Sequence, residues 1–423
     1  MNQRPNAVDL FAGAGGMSLG FEQAGFDVVA AVEIDPIHCA VHHFNFPKCK
    51  TICASVSAVS GAEIREKAGI GDSEIDVVFG GSPCQGFSLI GKRAIDDPRN
   101  SLVKDFVRIV AELNAKYFVF ENVKGLTVGK HRKFLDELAE EFKNYGYNVV
   151  LPWKVLNAYE HGVPQSRERL FLLGARDDLK LPSYPEQTTT GAGKKTIDGI
   201  PEGPSVWDAI GDLPNADNFK SLIKSDRVKT SWQSHSDYAR KMREESNNSS
   251  SYSYKREFDR NTLTASLRTN HSDVSRSRFN ETAEGNVEPV SRYFKLPKKG
   301  VSNTLRAGTD SARGAFTSPR PIHPKHPRCV TVREMARLHS FPDWFRFHVT
   351  KWHGARQIGN AVPPLLAKAV ANKIMDALGY EPTVPDATLK LGKTELLEMD
   401  MTTASKFWGV EVPIAQRVRK NAE

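Results

Sequence analysis

Six short apolar runs recur along the first part of the chain: AVDLFA at 7–12, DVVAAVEI at 27–34, IDVVF at 75–79, YFVFENV at 117–123, NVVLPW at 148–153 and RLFLLG at 169–174. They are nearly continuous rather than alternating, the pattern of strands buried on both faces of a sheet. Helical spacing appears between them. Leu102, Phe106, Ile109, Val110 and Leu113 share one face, and Leu135, Leu138, Ala139 and Phe142 share another. Strand–helix alternation over this length predicts an open α/β sheet.

The pattern changes after residue 176. From Gln187 to about Arg328 the chain is rich in Ser, Thr, Asn and Gly, and SNNSSSYSY at 246–254 reads as a loop. Regular helices return at Thr331, which makes a capping box with Glu334 ahead of MARL. PPLLAKAVANKIMDAL at 363–378 opens with prolines in the first turn, and its Leu366, Val370 and Ile374 form an apolar stripe. Residues 380–423 read as a tail with a weakly amphipathic element around Phe407 and Trp408, and carry no functional signal.

The 423 residues suffice for two or three domains, and 39% hydrophobic with 26% charged residues is ordinary for a globular protein. The net charge of +8 changes the picture more. Between Lys220 and Arg328 basic residues outnumber acidic ones by about two to one, which suits a surface that tracks a polyanion. The five cysteines, Cys39, Cys49, Cys53, Cys84 and Cys329, include no CxxC pair, so neither structural zinc nor a disulfide framework is expected. MNQRPNAVDLF has no secretion-type apolar core and no apolar run is long enough to span a membrane, so a reducing interior is the expected compartment.

Candidate chemistry gathers at strand ends. In DLFAGAGGMSLG, residues 9–20, a strand runs into a glycine-rich turn and then a helix. Gly13, Gly15 and Gly16 allow backbone to approach a ligand, and Glu33 follows where an acid grips ribose hydroxyls. Ser18 stands in place of the third glycine of a dinucleotide fingerprint, so a nucleoside-containing cofactor is expected without a nicotinamide signature. Cys84 follows IDVVFGG, Glu121 lies in FENV, and Arg167 and Arg169 precede a strand in QSRERLFLL. Alone, each has an ordinary explanation: a buried thiol, a strand-end acid, a solvated charge run. Together they sit at or beside strand ends of one sheet, where such folds place their sites.

In chain order, DLFAGAGG, VEIDP, GGSPCQGFS, FENVKGL, QSRERLFLLG, a variable basic region, TVREMARLHSFPD and QIGNAVPP resemble the motifs of the DNA (cytosine-5-)-methyltransferases over nearly the whole chain. The resemblance implies a Rossmann-like S-adenosylmethionine-dependent methyltransferase domain with a smaller, irregular target-recognition domain. The expected boundaries are 1–176 for the catalytic and cofactor-binding domain and 177–325 for target recognition. Residues 326–380 are expected to return and complete the catalytic domain, and 381–423 to form the tail.

The resemblance also assigns roles. The Cys84 thiolate adds to carbon 6 of a flipped-out cytosine, which makes carbon 5 nucleophilic toward a methyl group. Glu121 holds or protonates ring nitrogen 3, Arg169 reaches the base carbonyl oxygen, and Arg167 supports the surroundings of the nucleophile. The base that removes the carbon 5 proton is not identified. The cofactor is S-adenosyl-L-methionine, leaving S-adenosyl-L-homocysteine, and no metal is called for. Phe11 packs on the adenine, Ala12, Gly13, Ala14, Gly15 and Gly16 wrap the amino-acid end, and Glu33 takes the ribose. Pro83 and Leu102 line the cleft, which Asn360, Ala361 and Val362 close. Two positions depart from the family: Ile34 replaces an aromatic over the adenine, and Ser55 an aspartate, leaving the Val56 N–H to contribute. Gln85, Ser88, Lys92 and Arg93 in the loop after Cys84, with Arg268, Asn270, His271, Arg276, Arg278 and Arg306, are candidate DNA contacts. Thr304, Leu305 and Arg306 resemble the element that braces the recognition region.

The partner implied is double-stranded DNA, with a cognate restriction endonuclease acting separately as one setting. The expected form is a monomer, cytoplasmic, bacterial or phage-encoded, and bound to DNA. Two alternatives remain at this point: an RNA (tRNA) cytosine-5 methyltransferase and a catalytically silent DNA-binding protein.

Overall fold

The computed structural model describes residues 4–83, 100–127, 132–232, 236–245, 251–308 and 320–413. Eight strands form the central sheet: β1 (Asn6–Leu10), β2 (Asp27–Glu33), β3 (Lys50–Cys53), β4 (Val77–Gly81), β5 (Tyr117–Val123), β6 (Tyr147–Val149), β7 (Lys154–Asn157) and β8 (Glu168–Arg176). Their order is β3-β2-β1-β4-β5-β8-β6, with β7 also paired to β8. β1 to β5 run parallel; β8 is antiparallel to β5, and β6 and β7 are antiparallel to β8. The chain runs outward from β1 to β3, then returns to place β4 on the other side of β1. A crevice therefore opens beyond the carboxyl ends of β1 and β4, where open sheets of this kind bind their ligands.

Both faces of the sheet are covered, as the continuous apolar runs require. Phe21, Phe79, Val119 and Phe171 belong to one core, and Val8, Leu10, Val78, Phe118 and Phe120 to the other. Helices α1 (Gly16–Ala24) and α11 (Pro364–Leu378) pack against each other within the first core. Their approach is close: a Cβ on Gly20 would lie 2.7 Å from the Lys368 amide nitrogen. Helices α4 (Ser101–Glu112) and α5 (Arg132–Asn144) bury Phe106, Val110, Leu135 and Phe142 in the second core. Between these pairs in the chain come α2 (Pro36–Asn45) and α3 (Gly61–Ala68).

Two sequence expectations need correction. The run at 148–153 is not one strand: β6 stops at Val149, Leu151 is exposed, and β7 starts at Lys154. Pro152 has no N–H to give the ladder, so the edge breaks there and both pieces pair separately with β8. Leu102 is not part of the α4 stripe, which is Val103, Phe106, Val107, Ile109 and Val110; Leu102 faces the crevice instead.

The irregular region carries the short helices α6 (Val206–Ile210), α7 (Asp237–Met242) and α8 (Asp273–Glu281), and a two-residue ladder of β9 (Val228–Lys229) with β11 (Thr262–Leu263). It rests on α9 (Val332–Leu338), whose N-terminus has the capping box expected of Thr331 and Glu334. Glu334 also holds Arg328 at 2.7 and 2.9 Å, and Arg337 bonds Asp343 and the Ala209 carbonyl. α10 (Lys351–Asn360) then leads back to the crevice. The tail is docked: β12 (Thr388–Lys390) pairs with β10 (Lys255–Glu257), and α12 (Met401–Trp408) packs on α2, with Trp408 Nε1 donating to the Pro36 carbonyl at 3.1 Å. No helix among the described residues is long and apolar enough to cross a membrane.

Candidate active site

The crevice is a cavity of about 570 Å³ at the carboxyl ends of β1, β2, β4 and β5. One half is built by the glycine-rich turn. The Glu33 carboxylate accepts the Gly13 N–H and the Asp35 N–H, each at 2.8 Å, and so fixes the turn to the end of β2. Gly13 has φ +56° and open space where a Cβ would point, leaving a backbone cradle toward the cavity. Beneath the turn, Ser18 Oγ donates to Asp9 Oδ2 at 2.5 Å and meets His42 Nε2 at 3.0 Å. Burial pushes the Asp9 carboxyl up to about 8 and the His42 imidazole down to about 3. The serine that breaks the dinucleotide pattern thus anchors the turn from below.

The other half is built by β5 and β8. Glu121 Oε1 lies 2.9 Å from Arg169 Nε. Burial raises the Glu121 carboxyl above the ordinary carboxylate range even though Arg169 and Arg167 pull it down. Arg167 is fully buried, and burial drives its pKa down. Its fork donates to the carbonyls of Leu305 at 3.0 Å, Gly359 at 2.8 Å and Ala361 at 2.9 Å. His339 Nε2 also meets the Ala361 carbonyl, at 3.0 Å, while its Nδ1 faces Gln165 Nε2 at 2.9 Å. The return segment is therefore clasped onto the crevice by Arg167, just ahead of the strand that carries Arg169, and by His339 at the end of α9.

Phe11, Ala12, Gly13, Ala14, Gly16, Glu33, Ile34, Val56, Pro83, Leu102, Asn360, Ala361 and Val362 all line this one cavity, together with Glu121, Arg167 and Arg169. Gly15 does not line it; it turns under the loop at φ +98°, where a Cβ would strike the Phe46 ring. Cys84, Gln85, Ser88, Lys92 and Arg93 lie outside the described residues, although Pro83 just before them is at the cavity wall. The candidate DNA residues are spread elsewhere. Arg268 and Arg276 both pair with Asp217, Arg278 with Glu288, and the His271 ring accepts the Cys329 N–H. Asn270 and Arg306 are exposed. Thr304 Oγ1 donates to Ser166 at 2.7 Å and Leu305 N–H to Gln165 at 3.0 Å, which braces this segment against the turn before β8.

Sequence reasoning missed several lining residues. Asn122 donates to the Ser82 carbonyl at 3.1 Å and accepts the Val123 N–H at 2.8 Å, tying β5 to the backbone just ahead of Cys84. Asp9, His38, Arg356 and Gln357 also line the cavity. Asn122 and Asp9 stood within quoted motifs and carried a readable signal; His38 and Arg356 did not.

The doubly wound sheet, with its crevice at the switch point beside a buried acid–guanidinium pair, is the Rossmann-like fold of the DNA methyltransferases with which the chain compares. The model of the family described as C-5 cytosine-specific DNA methylase matches residues 6–376, and the chain belongs to that family. It is 58% identical over 414 residues, 98% of this chain and 95% of the relative, to the Type II methyltransferase M.XorII of Xanthomonas oryzae pv. oryzae. It is 35% identical to the Type II methyltransferase M1.HphI of Haemophilus parahaemolyticus, over 87% of this chain and 86% of the relative. A solved E. coli structure, described as a prophage-encoded DNA modification methyltransferase, superimposes with TM-score 0.70 at 31% identity, covering 89% of this chain and 100% of that one.

Proposed function

We propose that the chain methylates carbon 5 of a cytosine flipped out of duplex DNA, at a specific short sequence, as the modification half of a Type II restriction–modification system. The observation that carries this reading is the single cavity shared by the glycine-rich turn and the Glu121–Arg169 pair. The Type II relatives support the restriction setting.

The residues present suit S-adenosylmethionine. The Gly13 cradle gives room for close backbone approach, and the Glu33 carboxylate at the cavity wall suits ribose hydroxyls. Phe11 and Ile34 bound the adenine side, and Asn360 to Val362 close the opposite wall. When bound, the cofactor supplies an electrophilic methyl group. In this mechanism Cys84, as thiolate, forms a bond to carbon 6 of the cytosine. Glu121, whose carboxyl burial raises above the ordinary carboxylate range, gives a proton to ring nitrogen 3 and offsets the charge that develops on the ring. Arg169 holds the carboxyl in place and faces the base carbonyl oxygen. Arg167 acts at one remove, fixing residues 359–361 and with them the cavity wall. Carbon 5 would receive the methyl group, with S-adenosylhomocysteine as the leaving group; a base removes the carbon 5 proton as the sulfur–carbon 6 bond breaks to release the thiolate, and ring nitrogen 3 returns its proton to Glu121.

Residues 177–325 are assigned to target recognition. Asn270 and Arg306 are the exposed candidates for DNA contact; Arg268 and Arg276 act on DNA only by sharing or leaving Asp217. The experiment is transfer of labelled methyl from S-adenosylmethionine to duplex DNA and to tRNA side by side. Transfer to DNA that is abolished by Cys84→Ser, with a covalent adduct on 5-fluorocytosine DNA, is the expected result. Activity that survives Cys84→Ser, or transfer to tRNA alone, refutes the proposal. Bisulfite sequencing of plasmid from expressing cells then reads the recognised sequence.

A further inference from the structure

The tail beyond α11 carries no catalytic motif, yet it is built into the cofactor half of the molecule. Its residues 381–413 lie past the span shared with the family, which ends at 376. Their course is fixed at two places. β12 pairs with β10 in a register that sets Leu389 beside Arg256, and Arg256 is itself held by both oxygens of Glu22 at 2.9 and 2.8 Å. Further on, α12 packs on α2, and Trp408 Nε1 reaches the Pro36 carbonyl.

Between these anchors the tail grips α2 from end to end. Pro36 is the first residue of that helix and Asn45 the last. Near the far end the Gly392 N–H donates to the Phe44 carbonyl at 2.9 Å, and a Cβ on Gly392 would lie 2.8 Å from the Phe44 Cα. Along the middle, Leu396 and Leu397 are buried in one apolar cluster with Ala40, Val41 and Phe44. The Leu397 carbonyl accepts the Val349 N–H at 3.0 Å, and the Met399 carbonyl meets His348 Nε2 at 3.1 Å.

That cluster also contains Ala14, which belongs to the glycine-rich turn and lines the active-site cavity. The tail leucines therefore form the layer directly behind the cofactor wall. The start of α2 is the second point of support. Asp35 caps the helix, accepting the Ile37 and His38 N–H groups at 2.9 and 3.2 Å, while its own N–H helps to hold the Glu33 carboxylate. Trp408 bonds the very next residue. By contrast, the partners named above for Glu121, Arg167 and Arg169 all lie outside the tail.

We propose that Leu397 and Trp408 are positioning residues for the cofactor: through them the tail sets the glycine-rich turn and the Glu33–Asp35 corner, and so governs affinity for S-adenosylmethionine without touching the chemical step. The inference rests on the cofactor reading of the cavity. A binding wall needs a packed layer behind it, because a void there lets the wall relax away from its ligand. The selective effect follows from the layout, since the tail backs one half of the crevice and the reacting groups occupy the other.

Steady-state kinetics and S-adenosylhomocysteine titration of the full chain test it, with Leu397→Ala and Trp408→Ala set against wild type. Each variant is expected to weaken S-adenosylhomocysteine binding and raise KM for S-adenosylmethionine by roughly tenfold, with kcat at saturating cofactor and KM for DNA within about twofold of wild type. Leu397→Met, which refills the apolar space, is expected to keep cofactor affinity. Leu397 is fully buried, so urea unfolding is followed alongside; should Leu397→Ala fail to fold, Trp408→Ala, at a half-buried site, carries the test. Unchanged cofactor affinity overturns the proposal. So does a parallel fall in kcat, cofactor affinity and DNA affinity, which marks a general scaffold. Wild-type protein that binds no S-adenosylhomocysteine refutes the cofactor reading itself, and this inference with it.

Discussion

Gly81 and Glu121 stand opposite each other in the β4–β5 register, and the Glu121 carboxylate occupies the space a Cβ on residue 81 would need. The glycine before Ser-Pro-Cys is thus a condition for the acid's position. Gly81→Ala is expected to displace the carboxylate and lower kcat by about 10²-fold, as misplacements near 1 Å do. S-adenosylhomocysteine affinity, measured by titration, should be nearly unchanged. Full activity in the alanine variant would remove the steric argument.

Glu121→Gln keeps the shape and the bond toward Arg169 but cannot give up a proton. A loss of roughly 10²–10⁴-fold in kcat is expected, the usual scale for a general acid. Because burial raises the Glu121 carboxyl, its acidic form is lost as pH rises through that raised value. The wild-type pH–rate profile should fall on that limb, and the glutamine variant should lack it.

Asp9 and His42 act on stability in opposite senses. Asp9, raised to about 8, holds a proton that the unfolded chain releases near 4, so its contribution is present at low pH and lost as pH rises toward 8. His42, lowered to about 3, is neutral in the fold and charged in the unfolded chain below about 6.5, so its contribution is lost as pH falls below that value. Between about pH 6.5 and 8 the aspartate effect stands largely alone. Urea denaturation there should show stability falling by up to about 1.4 kcal/mol per pH unit, and Asp9→Asn should flatten that slope.

Arg167 bonds three carbonyls from two distant segments, and lysine has no fork to replace them. Both Arg167→Lys and Arg167→Ala are expected to weaken S-adenosylhomocysteine binding by roughly tenfold or more and to lower stability by about 2–4 kcal/mol. Unchanged cofactor affinity in either variant would show that the wall at 359–361 holds without the clasp.

Asn122 ties β5 to the Ser82 carbonyl, two residues before Cys84. Asn122→Ala is expected to slow adduct formation on 5-fluorocytosine DNA by about tenfold or more while leaving cofactor binding intact. Equal loss of both would point to a general defect in the sheet.

The sheet was legible because both of its faces are buried, which writes each strand as an unbroken apolar run. The short edge strand β3 lacked such a run, and Pro152 made two strands from what read as one. The cavity residues within motifs were legible from chemistry at strand ends. His38 and Arg356 were not, because only the packing of α2 and α10 brings them to the same wall. The cationic candidates from Arg268 to Arg278 show the limit of charge counting. Asp217 lies 51 and 59 residues from Arg268 and Arg276, and only the fold reveals that these two, and Arg278 through Glu288, already have carboxylate partners.

The close seating of α1 on α11 has a consequence for synthesis. Residues 16–24 leave the ribosome long before the helix that covers them, Pro364–Leu378. The nascent polypeptide must carry an uncovered apolar surface until that helix emerges, with the pocket lacking one wall. Termination before it therefore yields products that invite chaperones or proteases, and catalysis waits for its synthesis.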